Sequence, residues 1–135
     1  MTYVLDASVA ASWCYQDEAD SRADVARDLL ITGRAFAPLH WWFELRNGLL
    51  VGERRGRISP PAMVEFLKRM ARARIELMVL PSGNDVFAVA RKHRLTFYDA
   101  AYLELAIRER VALATLDDKL ATAAQAEHIP LVGVS

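Results

Sequence analysis

Four acidic residues of this chain are set apart by where they fall: Asp6, Glu44, Asp99 and Asp117. Asp6 directly follows an apolar run, Tyr3-Val4-Leu5. Asp117 follows a second, Val111-Ala112-Leu113-Ala114, after the short turn Thr115-Leu116. Both runs read as buried strands feeding a loop, and open parallel sheets bind their ligands at the carboxyl ends of their strands. Asp99 opens a helical pattern just before the second run. Glu44 interrupts the otherwise apolar stretch Trp41-Trp42-Phe43-Glu44-Leu45. On a helix, Glu44 shares its face with Asn47 and Gly48, one polar and one tiny, which leaves room for a polar group to approach.

Each acid also has an ordinary explanation. Asp99 and Asp117 serve equally well as helix N-caps, worth about 1 kcal/mol each. Asp6 before Ser8 suits a turn, and Glu44 suits a solvated position on an amphipathic helix. As a set they imply more. Two like charges about 4 Å apart, at an effective dielectric of about 20, repel by about 4 kcal/mol. Carboxylates gathered in one cleft therefore persist only where protons or cations neutralise them. Oxygen donors without His or Cys favour a hard cation, Mg²⁺ or Mn²⁺. Acids beyond the one or two that touch the ion would hold a second ion or position its water. That is an arrangement for hydrolysing a phosphodiester.

The elements that must position these acids follow from the spacing of apolar residues. A strand at 3–5 leads into a helix over 9–15. A second helix carries Val25, Ala26, Leu29 and Leu30 at helical spacing until Gly33 stops it. A weak strand at 34–37 closes at Pro38, and a strongly apolar helix covers 40–55. Ser59 can cap the next helix with Pro60 in its first turn, and Met63, Phe66, Leu67 and Met70 share one face of it. A strand-like stretch at 75–80 ends at Pro81. Helices over 85–93 and 99–110, a strand at 111–114, a helix from Asp117 or Asp118 to 126 and a last short strand at 130–132 complete the chain. Strands alternating with helices specify an α/β fold with a mostly parallel sheet covered on both faces. With 135 residues and no linker, repeat or low-complexity tract, one domain over 1–135 is expected.

Composition narrows the class. Hydrophobic residues at 53% and charged residues at 25%, with only 6 Gly and 5 Pro, exclude disordered, collagen-like and Pro-rich chains. The single cysteine, Cys14, allows no disulfide framework and no cysteine-based zinc site, which fits a reducing compartment. No apolar stretch approaches the roughly 20 residues of a membrane span, and the start lacks a basic, then apolar, leader. A cytoplasmic protein without a membrane role is expected. Seventeen basic against seventeen acidic residues, net zero, argue against nucleic-acid binding by bulk charge. They leave open a local basic rim around an acidic centre.

Basic residues cluster at Arg54-Arg55 with Arg57, at Lys68-Arg69 with Arg72 and Arg74, and at Arg91-Lys92-His93-Arg94. They read as solvated helix ends complementing the dipole, or as phosphate steering. For steering, Arg91, Lys92 and Arg94, just upstream of Asp99, are best placed. His40, His93 and His128 show no metal-ligand spacing and are expected to be structural or surface residues. Trp41 and Trp42 are adjacent, so only one can face the core. The other would stack on a base or meet a partner. Trp13 and Tyr15 are candidates to line a groove, with Cys14 as a small packing residue beside them.

With these residues in place, the chain resembles a PIN-domain protein, specifically a VapC-type toxin ribonuclease. Four pieces carry the resemblance in order: Val4-Leu5-Asp6-Ala7-Ser8, Glu44-Leu45-Arg46-Asn47, Tyr98-Asp99-Ala100-Ala101-Tyr102, and Ala114-Thr115-Leu116-Asp117 followed by Lys119-Leu120. The resemblance implies a three-layer α/β/α fold around a mostly parallel five-stranded sheet, commonly ordered 3-2-1-4-5. It also implies RNA cleavage dependent on Mg²⁺ or Mn²⁺. Carried over by position, Asp6, Glu44, Asp99 and Asp117 form the acidic metal site, with direct contact from Asp6 and Asp99. Ser8 and Thr115 supply hydroxyls that orient carboxylates or metal water, and Asn47 assists Glu44. Asp118 also lies at the fourth piece, but the Thr-x-Asp spacing favours Asp117. A homodimer and a cognate VapB-like antitoxin are implied, the antitoxin blocking the site and docking in an apolar groove between helices. Two other readings stay open. A phosphohydrolase of the haloacid-dehalogenase kind also places an Asp after its first strand, although Ser8 stands where that chemistry needs a second Asp. A non-catalytic interaction module would leave Asp6 and Asp99 dispensable.

Overall fold

Tyr3, Val4 and Leu5 have no exposed surface, because the strand they form lies in the middle of the sheet with neighbours on both edges and helices on both faces. The computed structural model describes residues 1–135, the side chain of Gln16 apart. Along the chain run β1 (Thr2–Leu5), α1 (Ala7–Ser12), a 3₁₀ turn (Gln16–Glu18), α2 (Ser21–Thr32), β2 (Arg34–Ala37), α3 (His40–Arg54), α4 (Pro60–Arg72), β3 (Ile75–Leu77), α5 (Gly83–His93), α6 (Phe97–Glu109), β4 (Ala112–Ala114) and α7 (Asp118–Ala126). The order in the sheet is β3-β2-β1-β4, with every pairing parallel. Leu5 registers with Ala114 and Val4 with Phe36, so the carboxyl ends of β1 and β4 stand side by side. The α/β class with a parallel sheet flanked by helices is as the sequence specifies.

The sheet has four strands rather than five. Residues 130–132 lie beside β4, where the fifth strand would be, but make only an isolated parallel bridge, Leu113 to Leu131. The Leu113 N–H donates to the Pro130 carbonyl at 2.9 Å, and the Val132 N–H donates to the Leu113 carbonyl at 3.0 Å. Pro130 has no N–H to extend the ladder. Immediately after Val132 the chain turns at Gly133, whose φ of +77° and close approach to the Arg22 backbone admit no side chain. Similarly, the strand-like stretch from 75 stops at Leu77. Its partner β2 ends at Ala37, and Pro38 offers no further donor.

Two helix starts differ in a way that matters for the site. α7 is capped by Asp117, whose Oδ1 accepts from the Leu120 N–H at 2.9 Å. α6 is capped by Thr96, not by Asp99. The Thr96 hydroxyl accepts from the Asp99 N–H at 3.1 Å, and the helix begins at Phe97, two positions before its expected start at 99. Asp99 thus sits inside the first turn with its carboxylate released from capping. α4 starts as expected, at Pro60 behind Ser59, whose hydroxyl accepts from the Ala62 N–H at 3.3 Å. Of the adjacent tryptophans, Trp41 is buried. Trp42 faces outward with the Arg46 guanidinium 3.8 Å from its ring centre. Trp13 and Tyr15 do line a cleft, of about 200 Å³, on the α2 side with Asp20 and Asp24. Among the described residues, no helix is long and apolar enough to cross a membrane.

Candidate active site

Asp6 is the first residue past β1 and is buried. Its own N–H donates to the Ala114 carbonyl at 3.0 Å, locking it to the end of β4. The carboxylate Oδ2 accepts from the Ser8 hydroxyl at 2.7 Å and from the Thr115 hydroxyl at 2.7 Å. Each hydroxyl then uses a lone pair on the loop leading to α7. Ser8 Oγ accepts from the Leu116 N–H at 3.1 Å, and Thr115 Oγ1 from the Asp117 N–H at 3.0 Å. Four hydrogen bonds therefore tie Asp6 to the turn that carries Asp117.

Glu44 arrives from α3. Tyr102 of α6 is fully buried and donates its hydroxyl to Glu44 Oε1 at 2.6 Å, while accepting from the Ala7 N–H at 3.4 Å. His40, one turn before Glu44, places Nε2 3.4 Å from the same Oε1. The alignment falls short of a hydrogen bond, and this buried nitrogen has no partner. The imidazole packs edge-on to Tyr102, with ring centres 5.0 Å apart, and tilted against Tyr98 at 5.4 Å. Asp99 and Tyr102 are three residues apart on α6, which brings both to one face.

The electrostatics link the four acids. Burial pushes the Asp6 carboxyl above its ordinary range and the charge of Glu44 adds to this, against the Ser8 and Thr115 hydroxyls, which favour the ionised form. Burial likewise raises Asp99, reinforced by Asp117 and Asp6 and opposed by Thr96 and His40. The acids lie within one another's fields without collapsing onto a point. Among the described residues, no three His, Cys, Asp or Glu side chains are gathered tightly enough to hold a metal ion as they stand. The donor chemistry nevertheless fits a hard divalent cation. All four are carboxylates, and Asp6 Oδ1, Glu44 Oε2 and Asp117 Oδ2 take no side-chain hydrogen bond.

The remaining expected residues divide. Ser8 and Thr115 both engage Asp6. Asn47 is exposed and makes no hydrogen bond to any of the four acids. Arg91 and Arg94 are exposed, with Arg91 set over the Phe87 ring at 5.2 Å. Lys92 is committed elsewhere, 2.8 Å from Glu127. His93, 2.7 Å from the same Glu127 oxygen, is structural as expected. His40 is not a bland surface residue, because it stands at the acidic cleft. Neither His40 nor Tyr102 was marked for the site by spacing to a ligand. Their positions four before Glu44 and three after Asp99 were the available signals, but only the packing of α3 against α6 makes them meet. A groove of about 400 Å³ lined by His93, Asp118, Lys119 and Thr122 includes none of the four acids.

Comparison with known proteins adds the family. The PIN domain model matches residues 3–126, a span that contains all four acids. The chain belongs to the PIN domain family. PIN domains are generally metal-dependent nucleases. Among solved structures, this PIN domain is similar to PAE2754 from Pyrobaculum aerophilum. The TM-score is 0.72 at 24% identity over 91% of this chain and 84% of that one, a likeness that shows the shared fold. Among curated proteins, none matches.

Proposed function

We propose that this PIN domain is a VapC-like toxin, an endoribonuclease that hydrolyses RNA phosphodiester bonds with Mg²⁺ or Mn²⁺ and is neutralised by a VapB-like antitoxin. The observation that carries the reading is Asp6. It is a buried acid at the joined carboxyl ends of β1 and β4, gripped on one oxygen by two hydroxyls and raised by burial and the field of Glu44. Asp6 and Asp99 hold the ion. Glu44 and Asp117 complete the site or hold a second ion, and Ser8 and Thr115 fix the direction of Asp6. When bound, the cation supplies charge that activates water and stabilises the phosphorane-like state and the leaving oxygen. Asp117 would offer Oδ2 to the ion while capping α7 through Oδ1 only.

RNA approaches over a rim to which Arg91 and Arg94 contribute, Lys92 being paired with Glu127 instead. The protein acts as a homodimer in the cytoplasm. The antitoxin docks in the apolar groove formed by Leu39, Met78, Val79, Leu80 and Phe97 beside His40, where Val79 and Leu80 are exposed. An aspartyl-nucleophile mechanism is less well supported, since Ser8 occupies the position of the second acid and spends its proton on Asp6.

The test is RNA cleavage with and without Mg²⁺ or Mn²⁺, comparing the parent with Asp6→Asn and Asp99→Asn. Expected are cation-dependent cleavage and a loss of about 100-fold or more in each variant, with the fold retained. Cation-independent cleavage, or full activity in folded Asp6→Asn, would overturn the reading.

A further inference from the structure

Two of the four acids, buried Asp6 and half-exposed Glu44, are held alike. On Asp6, two hydroxyls converge on Oδ2, and Oδ1 takes no side-chain hydrogen bond. On Glu44, the Tyr102 hydroxyl and His40 Nε2 stand at 2.6 and 3.4 Å from Oε1, and Oε2 takes none. In each case the side-chain donors gather on one oxygen and leave the other without a side-chain hydrogen bond.

We propose that His40 is a positioning residue that, together with Tyr102, clamps Oε1 of Glu44 and so presents Oε2 to the divalent cation. The inference rests on Glu44 being a metal ligand, as proposed above. A buried nitrogen facing a carboxylate oxygen carries a hydrogen on that nitrogen, because a lone pair there would be repelled. The neutral Nε2–H tautomer and the imidazolium both satisfy this, so the role does not depend on protonation. Nε2 has no other partner, and buried polar groups in folded proteins are almost always paired. The rings of Tyr98 and Tyr102 pack against the imidazole and keep Nε2 3.4 Å from Oε1. Helical geometry brings the pair together, because residues four apart on α3 lie one above the other. Partners that orient a ligating carboxylate in this way contribute about 10–100-fold to metal affinity.

The test measures Mn²⁺ binding to the metal-free protein by calorimetry and by electron paramagnetic resonance, without RNA. His40→Phe keeps the ring packing and removes the donor. It should weaken Mn²⁺ by about tenfold with the thermal midpoint of the metal-free protein unchanged. His40→Gln keeps an N–H of similar reach and should recover most of the affinity. In a Glu44→Gln background, itself weakened, His40→Phe should add nothing, because the clamp then has no ligand to direct. Parent-like Mn²⁺ affinity in His40→Phe, or an equal further loss in the Glu44→Gln background, would overturn the proposal. If Glu44→Gln leaves Mn²⁺ binding untouched, the assignment of Glu44 as a ligand fails first, and the clamp fails with it. His40→Asn, too short to reach Oε1, replaces His40→Phe if the latter does not fold.

Discussion

Glu127 and Asp6 are both carboxylates at the ends of regular elements, and the molecule treats them in opposite ways. Glu127 closes α7 and receives Lys92 Nζ at 2.8 Å and His93 Nε2 at 2.7 Å, which hold it below the usual carboxylate range. Asp6 and Asp99 have no cation of comparable closeness. Burial and neighbouring acids push them up. Three kinds of neighbour explain the contrast: bases beside Glu127, apolar packing around Asp6, and other acids around both Asp6 and Asp99. The Glu127 cluster uses charge to join α5 to α7. The acidic cleft holds charge in an unfavourable field that a divalent cation would relieve.

The comparison is broken most severely by removing what directs Asp6. Thr115→Val is nearly isosteric and buried, but it deletes the donor to Asp6 and the acceptor for the Asp117 N–H. Mn²⁺ affinity should fall about tenfold or more. The lost hydrogen bond from the Asp117 N–H, at an exposed residue, should cost about 1 kcal/mol of stability. Calorimetric titration and chemical denaturation read the two effects separately, and unchanged Mn²⁺ affinity would contradict the role given to Thr115.

The pH dependence of the metal-free protein sharpens the same contrast. Asp6 and Asp99 are raised in the folded state, so their contribution to stability is greatest below their ordinary value of 3.8 and declines as pH climbs through the raised folded value. Glu127 is lowered. It contributes above its ordinary value of 4.5, and that contribution is lost as pH falls through the depressed folded value. In urea melts across acid to neutral pH, Asp99→Asn should gain on the parent as pH rises above 3.8. Glu127→Gln should converge with the parent as pH falls below 4.5. The same slope in both variants would erase the distinction. The smallest effect expected is that of Glu127→Gln at neutral pH. It should cost about 1 kcal/mol, discounted for the exposure of Lys92, and lower Tm by roughly 2–5 °C. Mn²⁺ binding should not change, and a loss of it would tie Glu127 to the cleft after all.

Much of this arrangement was legible before any coordinates. Strands alternating with helices, the Ser59-Pro60 start of α4 and the cap at Asp117 all follow from interactions between near neighbours. The same rules misplaced the start of α6. Thr96 and Asp99 are both acceptable caps, and the choice depends on how the helix enters from Leu95, which is buried in the core. The last strand was lost for a similar reason. Apolar residues at 131 and 132 favour a strand, but Pro130 and the turn at Gly133 leave too little ladder to build one.

The amino-acid order alone determined the fold class, the family-like succession of acids and the candidates Asp6, Glu44, Asp99 and Asp117, because periodicity and turn chemistry act over a few residues. Only the tertiary structure decided which oxygen of each acid is held and by what. The Thr115–Asp6 bond joins residues 109 apart, and Tyr102–Glu44 joins residues 58 apart. Such pairs are set by strand register and by the packing of α6 against the sheet, neither of which leaves a mark at the residues that finally meet.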